Sequence, residues 1–118
     1  MLFWQQQGVA PKRVVYVSTT GVYGDCGGDW LDETRAVNPQ SARAQGRVAA
    51  EHAWRDFSYA TGAQVTVLRA PGIYALERLP YASVLADSPV LLPQEDSFSN
   101  HIHEDDLAQA CVFFLDQI

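Results

Sequence analysis

The sequence has few cysteines, little positive charge and no long apolar run. Its two cysteines among 118 residues, Cys26 and Cys111, fit no metal-ligand spacing, so we expect free thiols in the reducing cytoplasm. Eight basic against 14 acidic residues give a net charge of −6, which disfavours a general nucleic-acid surface. The first residues lack the basic and apolar regions of a signal peptide, and no apolar run reaches membrane-spanning length.

A glycine-rich phosphate turn between a first strand and a first helix is also missing. In nucleotide-binding α/β folds this turn brings the pyrophosphate to a helix N-terminus. Only 12 residues precede Arg13 here. The glycines from Gly21 to Gly27 lie before a long acidic stretch, residues 25–37, and open no helix. We therefore do not expect them to bind phosphate, and we expect residues 25–37 to form a long loop.

Two β-branched runs flank a helical stretch. Arg13–Val17 has the pattern of a strand buried on both faces, and Gln64–Arg69 is a second strand. Between them a helix is predicted from Pro39 to Thr61, with Asn38 as its N-cap. A strand, a crossover helix and a strand form a βαβ unit, so the predicted fold class is α/β with adjacent parallel strands.

The elements predicted after the second strand are short. Pro71–Tyr74 is a turn, residues 77–86 form a short helix interrupted at Pro80, and Asn100–His103 is a brief strand. A last helix begins at Glu104, where acidic groups suit the helix dipole. The predicted buried faces are Val48, Ala49, Ala53, Trp54 and Phe57 on the first helix, and Leu107, Cys111, Phe114 and Ile118 on the last.

Three hydroxyl side chains, Ser18, Thr19 and Thr20, directly follow the first strand. In open α/β sheets, ligands bind just beyond the carboxyl ends of the strands. These hydroxyls are therefore candidate site residues. The alternative is that they only cap a turn.

Four motifs now point to a family. They are Val17-Ser-Thr-Thr-Gly-Val-Tyr-Gly24, Asn38-Pro-Gln-Ser-Ala-Arg-Ala-Gln-Gly-Arg47 followed by Glu51, Leu68-Arg-Ala-Pro-Gly-Ile-Tyr74, and Ile102-His-Glu-Asp-Asp-Leu-Ala108. Together they resemble the C-terminal part of extended or atypical short-chain dehydrogenases, the NAD-dependent epimerase/dehydratase family, from about Arg13 onward. The resemblance implies a partial Rossmann-type parallel sheet with flanking helices, whose N-terminal nucleotide-binding half is missing. Residues 1–118 would be one partial domain, comprising the C-terminal half of the Rossmann-type domain and the start of the substrate-side region.

The resemblance also implies catalytic positions. It places the supporting hydroxyl at Thr19, and it puts Arg43 and Arg47 where the family has the tyrosine and lysine of its Tyr-x-x-x-Lys pair. In the family the tyrosine is the general acid/base, and the lysine lowers its pKa and holds the cofactor ribose. Arg47 could keep the lysine's role, whereas Arg43 cannot replace the phenol because guanidinium stays protonated. Since residues four apart share a helix face, we expect both arginines to line one cleft with Thr19.

The resemblance implies NAD or NADP as the cofactor. Ser18, Arg47 and the backbone of Pro71, Gly72 and Ile73 would contact it, although Pro71–Ile73 could simply end a strand. Without the N-terminal half, tight binding by this chain alone is not expected.

Tyr23 and His103 are predicted on the substrate side, with core packing as the alternative for Tyr23. His101 and His103 share one strand face, which raises a metal hypothesis. Only carboxylates flank them, and family members carry this His-x-Asp-Asp pattern without metal. We therefore expect no metal, and a structural role for the histidines in fixing the last helix against the sheet.

Two functions remain open. One is a fragment of an NAD(P)-dependent epimerase/dehydratase-like oxidoreductase that acts on a nucleotide-sugar-like or other hydroxyl or carbonyl substrate, with Arg43/Arg47 replacing the usual pair. The other is a non-catalytic dinucleotide-binding or sensor protein of the same fold. The expected partners are the dinucleotide and a small-molecule substrate, not nucleic acid or a membrane. Uncovered sheet surface would also favour homo-oligomers.

Overall fold

The computed structural model describes residues 6–116, and its first unit consists of two strands joined by a helix. Strands β1 and β2 pair in parallel, in register from the first residue of each to the last. This confirms the α/β class and the prediction of adjacent parallel strands. The elements of this unit are β1 (Arg13–Thr19), a 3-10 turn (Thr20–Tyr23), α1 (Ala42–Thr61) and β2 (Gln64–Ala70).

Side chains of β1 alternate between α1 and the opposite face of the sheet. Tyr16 packs against Trp54 of α1 with ring centroids 6.3 Å apart, and Ser18 also points toward α1. On the other face, Arg13 donates a hydrogen bond to the Leu115 carbonyl oxygen at 2.7 Å. Burial on both faces is only partly achieved, because β1 is half-buried except at Ser18. A sheet of two strands leaves much of each strand uncovered.

Helix α1 begins later than the sequence predicts. Ser41 is its N-cap, and the Ser41 Oγ accepts a hydrogen bond from the Ala44 N–H at 3.1 Å. The prediction of Asn38 as the cap was wrong: its side-chain oxygen accepts from Gln40 Nε2 at 2.8 Å instead of from a helix N–H, and its backbone N–H donates to the Val22 carbonyl oxygen at 2.8 Å. That bond holds Asn38 in the approach to the helix. The predicted end is confirmed, since Gly62 closes α1 in the left-handed region at φ 74°.

The buried face of α1 consists of Ala44, Glu51 and Phe57. Phe57 is buried as predicted, and the half-buried Trp54 packs edge-on against it at 5.6 Å between ring centroids. The prediction for Ala49 was wrong, because that residue is exposed. A carboxylate, Glu51 at 1% exposure, is thus the most buried side chain of a face that was expected to be apolar.

The loop between the 3-10 turn and α1 is closed at its base. The hydrogen bond from Asn38 to Val22 joins its two ends. Gly24 lies beside this bond with φ 72°, and a Cβ there would come within 2.5 Å of the Asn38 carbonyl oxygen. Farther out, the Tyr23 hydroxyl donates to the Asp32 carbonyl oxygen at 3.1 Å. The predicted long loop is therefore present, with both ends held together.

The later elements form a second, smaller sheet and two helices. Strand β3 pairs in parallel with β4, and the Gly72 N–H is donated to the Asn100 carbonyl oxygen at 3.0 Å. The prediction of a turn through Tyr74 was therefore wrong, because pairing with β4 makes this segment a strand. The brief strand near His101 is confirmed. The elements are β3 (Gly72–Tyr74), a 3-10 turn (Leu76–Arg78), α2 (Tyr81–Leu85), β4 (His101–His103) and α3 (Glu104–Asp116).

Helix α3 does not bury the predicted stripe. Leu107 and Cys111 are only half-buried, Phe114 is 36% exposed, and Ile118 lies outside the described residues. The helix touches β1 and β4, and these contacts are too limited to cover its apolar face. In the described part of the chain, no helix combines the length and apolar character needed to span a membrane.

Candidate functional site at the ends of the parallel strands

A cleft of about 420 Å³ opens at the carboxyl ends of β1 and β2, beside the N-terminus of α1. Ligands of open α/β sheets bind at this edge. Thr19, Arg43 and Arg47 line this one cleft, as their alignment predicted. The residues predicted to contact the cofactor also line this cleft. The complete lining is Val17, Ser18, Thr19, Thr20, Gly21, Ser41, Arg43, Ala44, Arg47, Ala70, Pro71, Gly72, Ile73 and Arg78.

The hydroxyls at the end of β1 differ in their surroundings. Ser18 is buried, and its Oγ donates to Glu51 Oε1 at 2.6 Å. Thr19 is half-buried, and its Oγ1 accepts the Gly21 N–H at 3.1 Å. That bond caps the 3-10 turn but leaves the Thr19 proton free to be donated into the cleft. Thr19 thus combines the capping role with the geometry of a site hydroxyl.

Arg43 and Arg47 lie one turn apart on α1 and enter the cleft from the same side. Arg47 is half-buried, and its Nη1 donates to the Tyr16 hydroxyl at 3.1 Å and to the Val17 carbonyl oxygen at 3.3 Å. Arg43 is exposed and makes no side-chain hydrogen bond or ion pair within residues 6–116. Arg47 is therefore fixed against β1, whereas Arg43 is free to meet a ligand.

A third arginine, Arg78, reaches the cleft from the 3-10 turn after β3. The lining thus contains three guanidinium groups and no Asp or Glu side chain. It also contains no His, Lys, Tyr or Cys. The cleft is cationic, and it offers no side chain that exchanges a proton readily near neutral pH.

The opposite wall consists of Pro71, Gly72 and Ile73. Because the Gly72 N–H is already donated to Asn100, that amide is committed to the sheet. A Cβ on Gly72 would lie 2.7 Å from the exposed His101 ring, so a larger residue there would have to displace that ring. The segment predicted to pass the cofactor is therefore fixed in place by strand pairing.

Behind the cleft wall lies a buried ionic network centred on Glu51. Arg69 of β2 donates to both Glu51 oxygens, at 3.1 Å and 2.8 Å. Ser18 donates to the same carboxylate, and Arg69 also donates to the Tyr23 hydroxyl at 2.9 Å. Among the described residues, no buried side-chain nitrogen or oxygen lacks a partner. The network therefore joins α1 to the ends of both strands without an unsatisfied group.

The Glu51–Arg69 contact determines the charge state of the network. Burial pushes the pKa of Glu51 upward, but the hydrogen bonds from Arg69 and Ser18 and the nearby positive charges outweigh it, so the pKa lies below its ordinary value of 4.5. The hydrogen bond to Glu51 raises the pKa of Arg69 further above its already high value. Both groups are therefore charged at neutral pH.

Comparison with known families decides the relationship. The sequence model of the NAD-dependent epimerase/dehydratase family matches residues 3–118, almost the whole chain. The chain belongs to this family. Comparison with curated protein sequences gave no significant match.

Solved structures agree with this fold. A functionally unknown conserved protein from Silicibacter pomeroyi is 36% identical over 86% of this chain and 35% of its own, with a TM-score of 0.70. The Thermus thermophilus UDP-glucose 4-epimerase in complex with NAD is 25% identical over 98% of this chain and 42% of its own, with a TM-score of 0.78. A UDP-N-acetylglucosamine 4-epimerase from Methanobrevibacter ruminantium, in complex with UDP-N-acetylmuramic acid, has a TM-score of 0.77 at 20% identity, over 98% and 41%.

This epimerase/dehydratase-family chain therefore spans between 35% and 42% of the length of these three neighbours. The fold of the segment is shared almost completely.

The two residues predicted on the substrate side lie outside the cleft lining. Tyr23 is buried at 8% exposure, with its hydroxyl between Arg69 and the Asp32 carbonyl oxygen. His103 Nδ1 accepts the Asp105 N–H at 3.2 Å, and its ring packs edge-on against Tyr74. Both contacts are structural. Within residues 6–116, no cluster of three or more His, Cys, Asp or Glu side chains is arranged to hold a metal.

The sequence analysis missed Arg69, Arg78 and the buried role of Glu51. A signal existed for Glu51, because it lies seven residues after Ala44 and so on the same helix face. Arg69 could have been found from its position two residues after Val67, on the strand face that packs against α1. Arg78 had no such signal, since a tertiary fold alone brings its turn to the cleft.

Proposed function

We propose that the protein is an NAD(P)-dependent epimerase/dehydratase-like oxidoreductase that acts on a hydroxyl or carbonyl group of a nucleotide-sugar-like or related substrate. The observation that carries this proposal is the cleft itself. It gathers Thr19, Arg43 and Arg47 with the Pro71–Ile73 wall at the carboxyl ends of β1 and β2. The epimerase from Thermus thermophilus was solved in complex with NAD, which supports the same cofactor class here.

The chemistry of the lining fits part of a dinucleotide. Its hydroxyls at Thr19, Thr20 and Ser41 and the guanidinium of Arg47 suit a ribose or phosphate group. The cleft volume of about 420 Å³ is that of a small-molecule site. When bound, NAD(P) would supply the hydride chemistry. In this assignment Arg47 orients the ribose, and the Thr19 hydroxyl donates a hydrogen bond to the substrate oxygen.

A second candidate is a non-catalytic dinucleotide-binding or sensor protein. One observation favours it: none of the lining residues can act as a general base near neutral pH, since Arg43 occupies the position of the family's tyrosine. Without a proton acceptor, alcohol oxidation would lose a contribution of roughly 10²–10⁴-fold in rate. Binding does not depend on such a group.

Turnover and cofactor binding separate the two candidates. The protein expressed from its complete gene should be titrated with NADH and NADPH by fluorescence, and then assayed for hydride exchange with a panel of nucleotide sugars. Binding with turnover supports the oxidoreductase, and binding without turnover supports the sensor. Arg47→Met should weaken binding by roughly tenfold if Arg47 holds the ribose. The matched control is Arg35→Met, on the loop outside the cleft.

The 118-residue chain alone should not bind NAD(P) tightly. Dinucleotides are held mainly at a glycine-rich turn and helix N-terminus that this segment does not provide. The contacts assigned here would have to offset an association cost of roughly 4–15 kcal/mol. Calorimetric titration with NADH and NADPH tests this, and saturation at low micromolar concentration would contradict it.

A further inference from the structure

We propose that Arg43 and Arg78 form a subsite for the phosphate or carboxylate group of an anionic substrate, while Arg47, which orients the ribose in the proposed function, adds its positive charge beside them. The inference rests on the proposed function, because it assigns a substrate class to the same cleft. Two of the side chains come from successive turns of α1, and the third comes from the 3-10 turn after β3. All three line the cleft together with the N-cap residue Ser41.

Two of the cleft arginines, Arg43 and Arg78, differ from the other described arginines in having no polar partner in residues 6–116. Within residues 6–116, Arg43 and Arg78 have no side-chain hydrogen bond or ion pair. Arg47 donates only to neutral oxygens, those of the Tyr16 hydroxyl and the Val17 carbonyl. The arginines outside the cleft all have a polar partner in the chain: Arg13 with Gln64 and Leu115, Arg35 with Asp29, and Arg55 and Arg69 with Glu51.

The positive charge of the cleft contrasts with the negative net charge of the chain. The chain has 14 acidic and eight basic residues, yet three of the basic residues share a cleft whose lining has no carboxylate. Like charges on a concave surface raise its potential and attract small counter-ions. A bound phosphate or carboxylate would offset part of the positive charge of the three guanidinium groups.

The N-terminus of α1 adds to the same potential. Ser41 caps this 20-residue helix and lines the cleft, and the first turn of the helix contains no acidic residue. The positive end of the helix dipole therefore faces the cleft without an internal counter-charge. Helix and arginines together favour an anion at this end.

The geometry selects a small anion. A planar guanidinium binds a phosphate or carboxylate through two parallel hydrogen bonds. The cleft volume of about 420 Å³ suits a small molecule, and the net charge of −6 would repel a polyanion such as a nucleic acid. Because Thr19 lines the same cleft, a substrate held by its anionic group at the arginines could present its hydroxyl or carbonyl to Thr19.

The test is calorimetric titration of the protein expressed from its complete gene with inorganic phosphate, pyrophosphate and malonate, at constant ionic strength in chloride. We expect saturable binding of at least one of these anions. Arg43→Gln and Arg78→Gln should each weaken it by roughly tenfold. Arg35→Gln makes the same change of charge at a residue paired with Asp29 outside the cleft, and it should leave binding unchanged. A preference for phosphate over malonate would identify a phosphate ester, and the reverse a carboxylic acid.

Three results would overturn the proposal. They are no saturable binding of any of the anions, equal weakening in Arg35→Gln, and complete loss of anion binding when NADH saturates the protein. The last would assign the subsite to the cofactor instead of the substrate. Anion binding in a protein that binds no NADH would instead contradict only the proposed function.

Discussion

In the described residues, every buried side chain lies at or before Ala75, whereas residues 76–101 are all exposed. The first region has two layers, with α1 packed on the β1–β2 sheet. The second region, residues 72–116, has a three-residue strand pair, short helical turns and helix α3, and it buries no side chain after Ala75. The candidate site takes residues from both regions. Thr19 and Arg47 lie on the packed unit, whereas Arg78 lies on the exposed segment.

The largest expected effect on the packed unit comes from removing Arg69, the cation that pairs with the buried Glu51. Arg69→Met should destabilise the protein by about 3–5 kcal/mol, because Glu51 would keep its charge in a buried site without its main partner. The matched control is Arg55→Met, which removes the other arginine near Glu51, 3.4 Å away and 46% exposed. It should cost about 0–1 kcal/mol. Urea denaturation curves measure both, and equal effects would contradict the network's role.

A matched pair of phenylalanines compares the two regions directly. Phe57 of α1 is 2% exposed and Phe113 of α3 is 58% exposed. Phe57→Ala should cost about 3–4 kcal/mol through lost burial and a cavity. Phe113→Ala should cost about 1 kcal/mol or less, because more than half of this side chain is already exposed to solvent. Thermal unfolding of the 118-residue chain would show whether the order holds.

Acid should act on the packed unit through Glu51. Since the folded pKa lies below its ordinary value of 4.5, the carboxylate's contribution is complete above about pH 5 and is lost as pH falls through the folded pKa. The slope is at most about 1.4 kcal/mol per pH unit. Glu51→Gln should reduce the loss of stability that sets in below about pH 5. Asp32→Asn, which removes an exposed carboxylate whose pKa the Thr34 hydrogen bonds lower, should reduce that loss less.

The smallest test concerns the start of α1. Ser41→Ala should cost about 1 kcal/mol, because it removes the hydrogen bond that Ser41 Oγ accepts from the Ala44 N–H. Asn38→Ala should cost about 0.5 kcal/mol or less, because the bond to Val22 uses its backbone N–H, which alanine retains. Chemical denaturation distinguishes the two residues. A larger loss at Asn38 would mean that the helix begins where the sequence alone suggested.

The sequence predicted what local patterns determine. The β-branched runs and the glycine after Thr61 predicted the βαβ unit. That unit in turn predicted a cleft beside Thr19. The N-cap was misassigned because Asn38 and Ser41 are both good caps, and only the structure shows that the Asn38 side-chain oxygen is bonded to Gln40 while Ser41 accepts the Ala44 N–H. β3 was missed because a three-residue strand depends on a partner almost 30 residues away. Arg78 entered the cleft through the same long-range pairing.

The closed base of the 25–37 loop bears on how far the length of this loop can vary. The Asn38–Val22 hydrogen bond and the close approach of Gly24 to Asn38 fix the two points where the chain enters and leaves the loop. The length between these points then affects closure entropy only weakly, by about 0.6 kcal/mol for each doubling. The loop is therefore a place where segments of other lengths could be grafted, while β1 and α1 keep the cleft in register.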